Sequence, residues 1–187
     1  MQGLNQELVN ASYDSSFIYA NNTPSRKQDS AEAYNNQGIN LAKNREYDLA
    51  ITYFNKAIGM RTGYAIAYNN RGLTYMGKGK INKAIKDYNK AIELDPDFAE
   101  TYTFRGNAYR YKGEVDLAIE DFTKAIELNP NNANAYYYRS KAWLHLGEKK
   151  KAKSDMKIAS NIGINISTAL DETLQNYGRA WSTLGNV

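Results

Sequence analysis

The sequence over residues 68–96 is YNNRGLTYMGKGKINKAIKDYNKAIELDP, and residues 102–130 are YTFRGNAYRYKGEVDLAIEDFTKAIELNP. The two segments share glycines, alanines and aromatic residues at a step of 34 residues. The same step leads forward to Tyr136, which begins YYYRSKAWLHLGEKKKAKSDMKIA, and back to Tyr34, which begins YNNQGINLAKNREYDLAITYFNKAIG. A repeat of this length without insertions predicts a stack of similar supersecondary units.

Six places of the repeat carry the pattern. An aromatic residue is fourth, a small residue eighth, Ala twentieth, a large apolar residue twenty-fourth and Ala twenty-seventh, and Pro is thirty-second in the second and third units. This combination resembles the tetratricopeptide repeat. The resemblance implies an all-α fold, a right-handed α-solenoid of four helix-turn-helix repeats. The four units are residues 31–64, 65–98, 99–132 and 133–166.

The small and large residues of the pattern predict how the helices pack. Small side chains at the eighth and twentieth places let two helices touch, and the second helix alternates a large residue with a small one at helical spacing. Gly79, Gly113 and Gly147 stand where a positive φ commonly follows a helix C-terminus. One such hairpin cannot bury its apolar face alone, so neighbouring units are expected to stack. The eighth-place residues are Gly38, Gly72, Gly106 and Ser140, and the twenty-fourth-place residues are Phe54, Tyr88, Phe122 and Met156.

The segments on either side do not follow the repeat. Residues 1–30 are polar and are predicted to be a partly ordered leader. One hypothesis is that its apolar triplet, residues 17–19, docks in the groove of its own or a neighbouring chain. Residues 167–187 are predicted to form a C-terminal capping helix, because a Thr-x-x-Asp start at Thr168 precedes apolar residues spaced by three and four. Those apolar residues are Leu170, Leu174, Tyr177, Trp181 and Leu184.

The composition argues against an enzyme. The chain of 187 residues has no Cys and a single histidine, His145, so thiolate catalysis and zinc-thiolate sites are excluded and a His-based triad has one candidate. No Ser or acid on the same helical face is placed to activate His145. The run from Gly72 to Lys78 resembles a phosphate-binding loop, but Gly79 replaces the required Ser or Thr and no strand precedes it. We therefore predict a non-catalytic chain with no cofactor and no metal.

Charge and hydropathy restrict the partners further. The formal net charge is +4, and no signal peptide or transmembrane segment is visible, which predicts a soluble chain whose compartment stays open. The basic run from Lys149 to Lys157 suits weak contact with an anionic surface, although no interleaved aromatic residues accompany it. No nucleic-acid partner is expected.

The resemblance also implies a binding site. In this family the first helices line a concave groove, and Asn and aromatic side chains there would hold a partner's backbone and apolar side chains. The predicted peptide-binding residues are Asn35, Asn36, Asn69, Asn70, Leu73, Phe104, Asn107, Arg110, Tyr111, Tyr137, Tyr138 and Lys141.

One subfamily is disfavoured by these residues. Members that hold acidic chaperone tails use Lys, Asn and Arg at five groove places, of which only Asn70 matches here. Asn35, Ile39, Glu100 and Phe104 occupy the other four, so three cations are lost and one place becomes acidic. A heat-shock co-chaperone role is therefore not predicted.

Two functions remain open. The first is a scaffold or adaptor that binds a peptide or protein segment in the concave groove. The second is a structural or assembly protein that self-associates as a homo-oligomer through its terminal segments or solenoid faces. The sequence does not identify the partner or the pathway.

Overall fold

The first helix of each unit pairs with the second through a short turn. The computed structural model describes residues 26–163, and their side chains from residue 30 onward. All eight helices of this range belong to four successive pairs. They are α1 (Arg26–Lys43), α2 (Tyr47–Met60), α3 (Ala65–Gly77), α4 (Ile81–Leu94), α5 (Ala99–Lys112), α6 (Val115–Leu128), α7 (Ala133–His145) and α8 (Lys149–Ile162).

The turns confirm the role predicted for glycine. Gly79, Gly113 and Gly147 follow α3, α5 and α7 with φ of 69°, 86° and 77°, a region that costs glycine little. The first unit has Arg45 at the equivalent place, with φ of 65°. Arg45 is the only residue other than glycine with a positive φ in the part of the chain that the structure describes.

The helices stack as an all-α solenoid. Each second helix packs against the first helix of its own unit, and the second helices of the first three units also pack against the first helix of the next unit. First helices of successive units also meet, at α1–α3, α3–α5 and α5–α7. The first helices therefore form the inner layer. α1 begins at Arg26, five residues before the unit boundary drawn from the repeat.

In each of the first three units, a glycine of the first helix and an aromatic ring of the second helix pack closely together. A Cβ added to Gly72 would lie 2.6 Å from Tyr88 Cε1, and one added to Gly106 would lie 2.8 Å from Phe122 Cε1. Both rings are fully buried, so they have no free space to retreat into. In the fourth unit, Ser140 and Met156 occupy these two places, and Ser140 Oγ lies 3.9 Å from Met156 Sδ. The flexible thioether of methionine can adjust to the larger serine side chain.

A ladder of buried arginine–aspartate pairs runs through the last three units, and the sequence analysis missed it. In each pair Nε and Nη2 of the arginine donate to the two carboxylate oxygens, at 2.7–2.9 Å. The arginine lies on the first helix and the aspartate on the second helix of the same unit. Nη1 reaches back to the second helix of the preceding unit, so one guanidinium joins three helices. The sets are Arg71–Asp87–Asn55, Arg105–Asp121–Asn89 and Arg139–Asp155–Thr123.

The ion pairs hold the pKa of two of these arginines, Arg71 and Arg105, above the usual value. Burial alone would lower the pKa of Arg105, but its hydrogen bonds and ion pair with Asp121 outweigh burial and raise that pKa. The pKa of Arg71 is raised against burial in the same way by Asp87.

The first unit lacks this pair. Gln37 and Tyr53 stand at the places that carry arginine and aspartate in the other units. Lys56 of α2 instead places its Nζ 4.9 Å from the Tyr53 ring centroid and 5.5 Å from that of Tyr34. A cation–π contact therefore joins the two helices where the others use a buried ion pair.

Three expectations concern residues outside the described range: the partly ordered leader, of which only residues 26–30 are described, the docking of residues 17–19, and the capping helix within residues 167–187. Among the described helices, none combines the length and the apolar character that crossing a membrane requires.

Candidate functional site

The inner layer of first helices divides the predicted binding residues into two groups. One group is buried in the packing between helices, and the other keeps part of its surface exposed. The buried residues are Asn35, Asn69, Leu73, Phe104 and Asn107. The exposed or half-exposed residues are Asn36, Asn70, Arg110, Tyr111, Tyr137, Tyr138 and Lys141.

The asparagines of α1 and α3 bond to each other. Asn70 Nδ2 donates to Asn35 Oδ1 at 3.0 Å across the two first helices. Asn36 is exposed on the same turn of α1. Asn69 is buried, and its Oδ1 has no hydrogen-bond partner among the described residues. Asn70, one of the asparagines predicted to hold a partner's backbone, is thus already engaged within the protein.

The residues of α5 lie partly in the core. The rings of Phe104 and Tyr88 have centroids 6.2 Å apart, which places Phe104 between the second and third units. Asn107 Oδ1 accepts from Nε and Nη2 of Arg110 at 3.2 and 3.0 Å. The Arg110 guanidinium also lies 4.4 Å from the Tyr111 ring centroid. Arg110 and Tyr111 are therefore the two predicted residues of α5 with surface available to a ligand.

The structure brings three predicted residues together on α7. The rings of Tyr137 and Tyr138 have centroids 5.4 Å apart, and Lys141 Nζ lies 4.6 Å from the centroid of Tyr137. Tyr138 also stacks on the buried ring of Phe122, at 6.0 Å. The core thus holds Tyr138 in place, and the half-exposed Tyr137 and Lys141 beside it present an aromatic face and a cation.

An acidic cavity lies at the edge of the inner layer and was not foreseen. It has a volume of about 380 Å³ and opens where the loop between α4 and α5 meets the end of α6. The sequence does contain three carboxylates within six residues, Asp95, Asp97 and Glu100. Only the folded structure shows that they line the same cavity. The lining residues are Ile66, Asp95, Asp97, Phe98, Ala99, Glu100, Leu128 and Asn129.

Little in the described range suggests catalysis. Residues 26–163 contain no group of three or more His, Cys, Asp or Glu that could hold a metal ion. His145 is exposed at the end of α7, and the loop-like run from Gly72 to Lys78 lies on α3 and its turn.

The basic run on α8 has an aromatic neighbour that the sequence did not reveal. Lys151 Nζ lies 4.5 Å from the ring centroid of Trp143, which belongs to α7, and 3.6 Å from Glu148 Oε2. Lys149, Lys150 and Lys153 are exposed on the same helix. The basic run itself contains no aromatic residue. The packing of α7 against α8 nevertheless places Trp143 beside Lys151.

Solved structures share this architecture. The second repeat domain of the human RPAP3 protein, in complex with the HSP70 peptide SGPTIEEVD, is 28% identical with a TM-score of 0.59, over 62% of this chain and 97% of that chain. A MamA protein is 27% identical with a TM-score of 0.66, over 84% of each chain. The first repeat domain of Spaghetti (RPAP3), bound to the HSP90 peptide SRMEEVD, is 26% identical with a TM-score of 0.62, over 64% of this chain and 95% of that chain.

Sequence comparison identifies the repeat directly. No curated protein gives a significant match to this chain. Tetratricopeptide repeat models match residues 31–63, 65–98, 99–132 and 122–154. These ranges together span residues 31–154, well over half of the sequence, so this chain belongs to the tetratricopeptide repeat family.

Proposed function

We propose that this protein is a non-catalytic interaction scaffold that holds a peptide or protein segment along the inner layer of first helices. The observation that carries the proposal is the cluster of Tyr137, Tyr138 and Lys141 on α7. Aromatic side chains give a large contact area at low entropic cost and are frequent hot spots of binding. The peptide complexes of two similar structures support the same class of function.

The groove residues argue for a partner different from the acidic peptides in those two complexes. Glu100 has no ion-pair partner among the described residues and would repel a carboxylate. Phe104 is buried against Tyr88, and the amide of Asn70 is bonded to Asn35. We infer that an acidic C-terminal tail is not the natural occupant.

A test of groove binding uses peptides selected from a random 12-residue library displayed against the whole chain. The double variant Tyr137→Leu, Lys141→Ala is expected to weaken binding of the selected peptides by about tenfold or more, since it removes a hot-spot ring and its cation. Leucine retains apolar packing against Met156, and Tyr138 is left intact because it stacks on Phe122. Fluorescence anisotropy of labelled peptides measures the effect.

The matched control is Lys90→Ala, Glu93→Ala, which removes an exposed ion pair on α4. This control is expected to bind like the unmodified chain. Equal affinities of the α7 variant and the control would reject the inner-layer site, and a library that yields no peptide would reject the scaffold.

Self-association is the second candidate, and exposed leucines on the second helices favour it. Leu49 and Leu117 are 45% and 42% exposed and occupy the same place in the first and third units. Lys83 and Lys151 fill that place in the second and fourth units, so the fold accepts lysine there.

If the chain self-associates through this face, the variant Leu49→Lys, Leu117→Lys is expected to be monomeric by light scattering at concentrations where the unmodified chain is not. The added charges would repel each other across an isologous interface. An unmodified chain that is monomeric at every concentration would exclude this candidate.

A further inference from the structure

The acidic cavity occurs at only one of the three junctions between described units. The junction of the second and third units carries Asp95, Asp97 and Glu100. One repeat later, the same three places carry Asn129, Asn131 and Asn134, and one repeat earlier they carry Arg61, Gly63 and Ile66. The backbone of the repeat therefore does not require carboxylates at these places.

The three carboxylates have no side-chain partner among residues 26–163. None of the three takes part in a side-chain hydrogen bond or an ion pair there, whereas Asp87, Asp121 and Asp155 each accept two hydrogen bonds from an arginine. At the next junction, by contrast, Asn129 Oδ1 accepts from the backbone N–H of Asn131 at 3.1 Å. Like charges this close in sequence repel one another.

Helix stability does not account for the whole cluster. Glu100 lies in the first turn of α5, where a negative charge interacts favourably with the helix dipole. Asp95 is the C-cap residue of α4, where the same dipole disfavours a negative charge. The helix dipoles therefore do not favour a carboxylate at Asp95, and a cation bound beside it would be stabilising.

The walls of the cavity suit the stem of a long side chain. Ile66, Phe98 and Leu128 contribute apolar surface, and the volume of about 380 Å³ falls within the range of small ligand sites. Lysine and arginine place an aliphatic stem on apolar surface and a charged head beside polar groups. The cavity combines both kinds of surface, since its apolar walls are bordered by three carboxylates.

We propose that this cavity, lined by Asp95, Asp97 and Glu100, receives a lysine or arginine side chain of the polypeptide held on the inner layer. The proposal rests on the proposed scaffold function and adds the chemistry of the partner. Ile66 and Glu100 belong to the first helices α3 and α5, so the cavity opens at the edge of the layer on which the partner would lie. The net charge of +4 does not attract basic chains over long distances, so recognition depends on this local group of carboxylates.

The test is an NMR titration of the full chain with Nα-acetyl-lysine methylamide, and with the norleucine analogue that lacks the ammonium group. The lysine probe is expected to shift the backbone amides of residues 95–100 and 128–129 and to bind about fivefold or more tighter than norleucine. Its binding is expected to weaken as salt is added.

Two variants locate the site. The variant Asp95→Asn, Asp97→Asn, Glu100→Asn is expected to bind the lysine probe about tenfold more weakly. It should fold, because the next junction already carries Asn at all three places. The control variant Asp116→Asn, Glu120→Gln, Glu127→Gln removes the same number of carboxylates from α6 and is expected to bind the probe unchanged.

The outcomes separate this proposal from the scaffold function. Equal binding of lysine and norleucine, or equal loss in both variants, would overturn the cation site. If library peptides bind the chain while the lysine probe does not bind the cavity, the proposal fails and the scaffold stands. If the probe binds at the cavity and no peptide is captured, the cation site stands and the scaffold fails.

Discussion

Replacing Arg105 with methionine is expected to lower the free energy of unfolding by about 3–5 kcal/mol, because it leaves a buried carboxylate without its cation. Asp121 receives two hydrogen bonds from Arg105, at 2.8 and 2.7 Å, and its side chain is only 8% exposed. The same arginine joins α5 to α4 through Asn89. Urea denaturation followed by circular dichroism measures the change.

The double variant Arg105→Met, Asp121→Leu is expected to recover most of this loss, since apolar residues of similar size replace a buried ion pair at little cost. Lys124→Met, in an exposed pair with Glu127, should change stability by less than about 0.5 kcal/mol. If Arg105→Met costs no more than Lys124→Met, the ladder does not stabilise the stack.

The loss in Arg105→Met should also depend on pH. Burial raises the pKa of the Asp121 carboxyl even while Arg105 opposes that effect, and removing Arg105 raises the pKa further. A carboxyl with a raised pKa in the folded state favours folding when it is protonated, and this contribution is lost as the pH rises through the folded-state pKa. The deficit is therefore expected to be largest at neutral pH and to shrink in acid.

The fold followed from the sequence because its signals recur at a fixed step. Gly79, Gly113 and Gly147 marked the turns without any knowledge of the packing. The arginine ladder recurs at the same step, and its signal was present in Arg71 and Asp87, but a separation of 16 residues places the two on different helices. Only the stacking shows that these residues meet.

The binding site was harder to predict, because the exposure of each side chain on the first helices depends on which side chains of neighbouring helices pack over it. Phe104 stands at a repeat position that usually faces the groove, but it packs against the ring of Tyr88 and is buried. Asn35 and Asn70 bond each other because α1 and α3 approach closely. The acidic cavity is formed by the loop between α4 and α5, the first turns of α3 and α5 and the end of α6, so no single stretch of sequence contains it.

The interlock between the two helices of a unit gives the second large effect. Phe122→Ala is expected to lower the free energy of unfolding by about 3–5 kcal/mol, because the ring is fully buried and its loss leaves a cavity against Gly106.

Gly106→Ala is expected to lower the free energy of unfolding by about 1–3 kcal/mol for the opposite reason, since the added Cβ would lie 2.8 Å from the Phe122 ring. Gly59→Ala is the control. Its Cβ would meet nothing within 4 Å, so we expect a gain of about 0.5–1 kcal/mol.

The fourth unit shows that the glycine and the ring can both be replaced when they change together. Ser140 and Met156 stand where the third unit has Gly106 and Phe122, and both are buried. The double variant Gly106→Ser, Phe122→Met should therefore cost less than the sum of its two single variants, by about 1 kcal/mol in a double-mutant cycle. Denaturant unfolding of the four chains measures this coupling. Strict additivity would mean that the small residue and the ring do not constrain each other, and the spacing of helices in a unit would then need another cause.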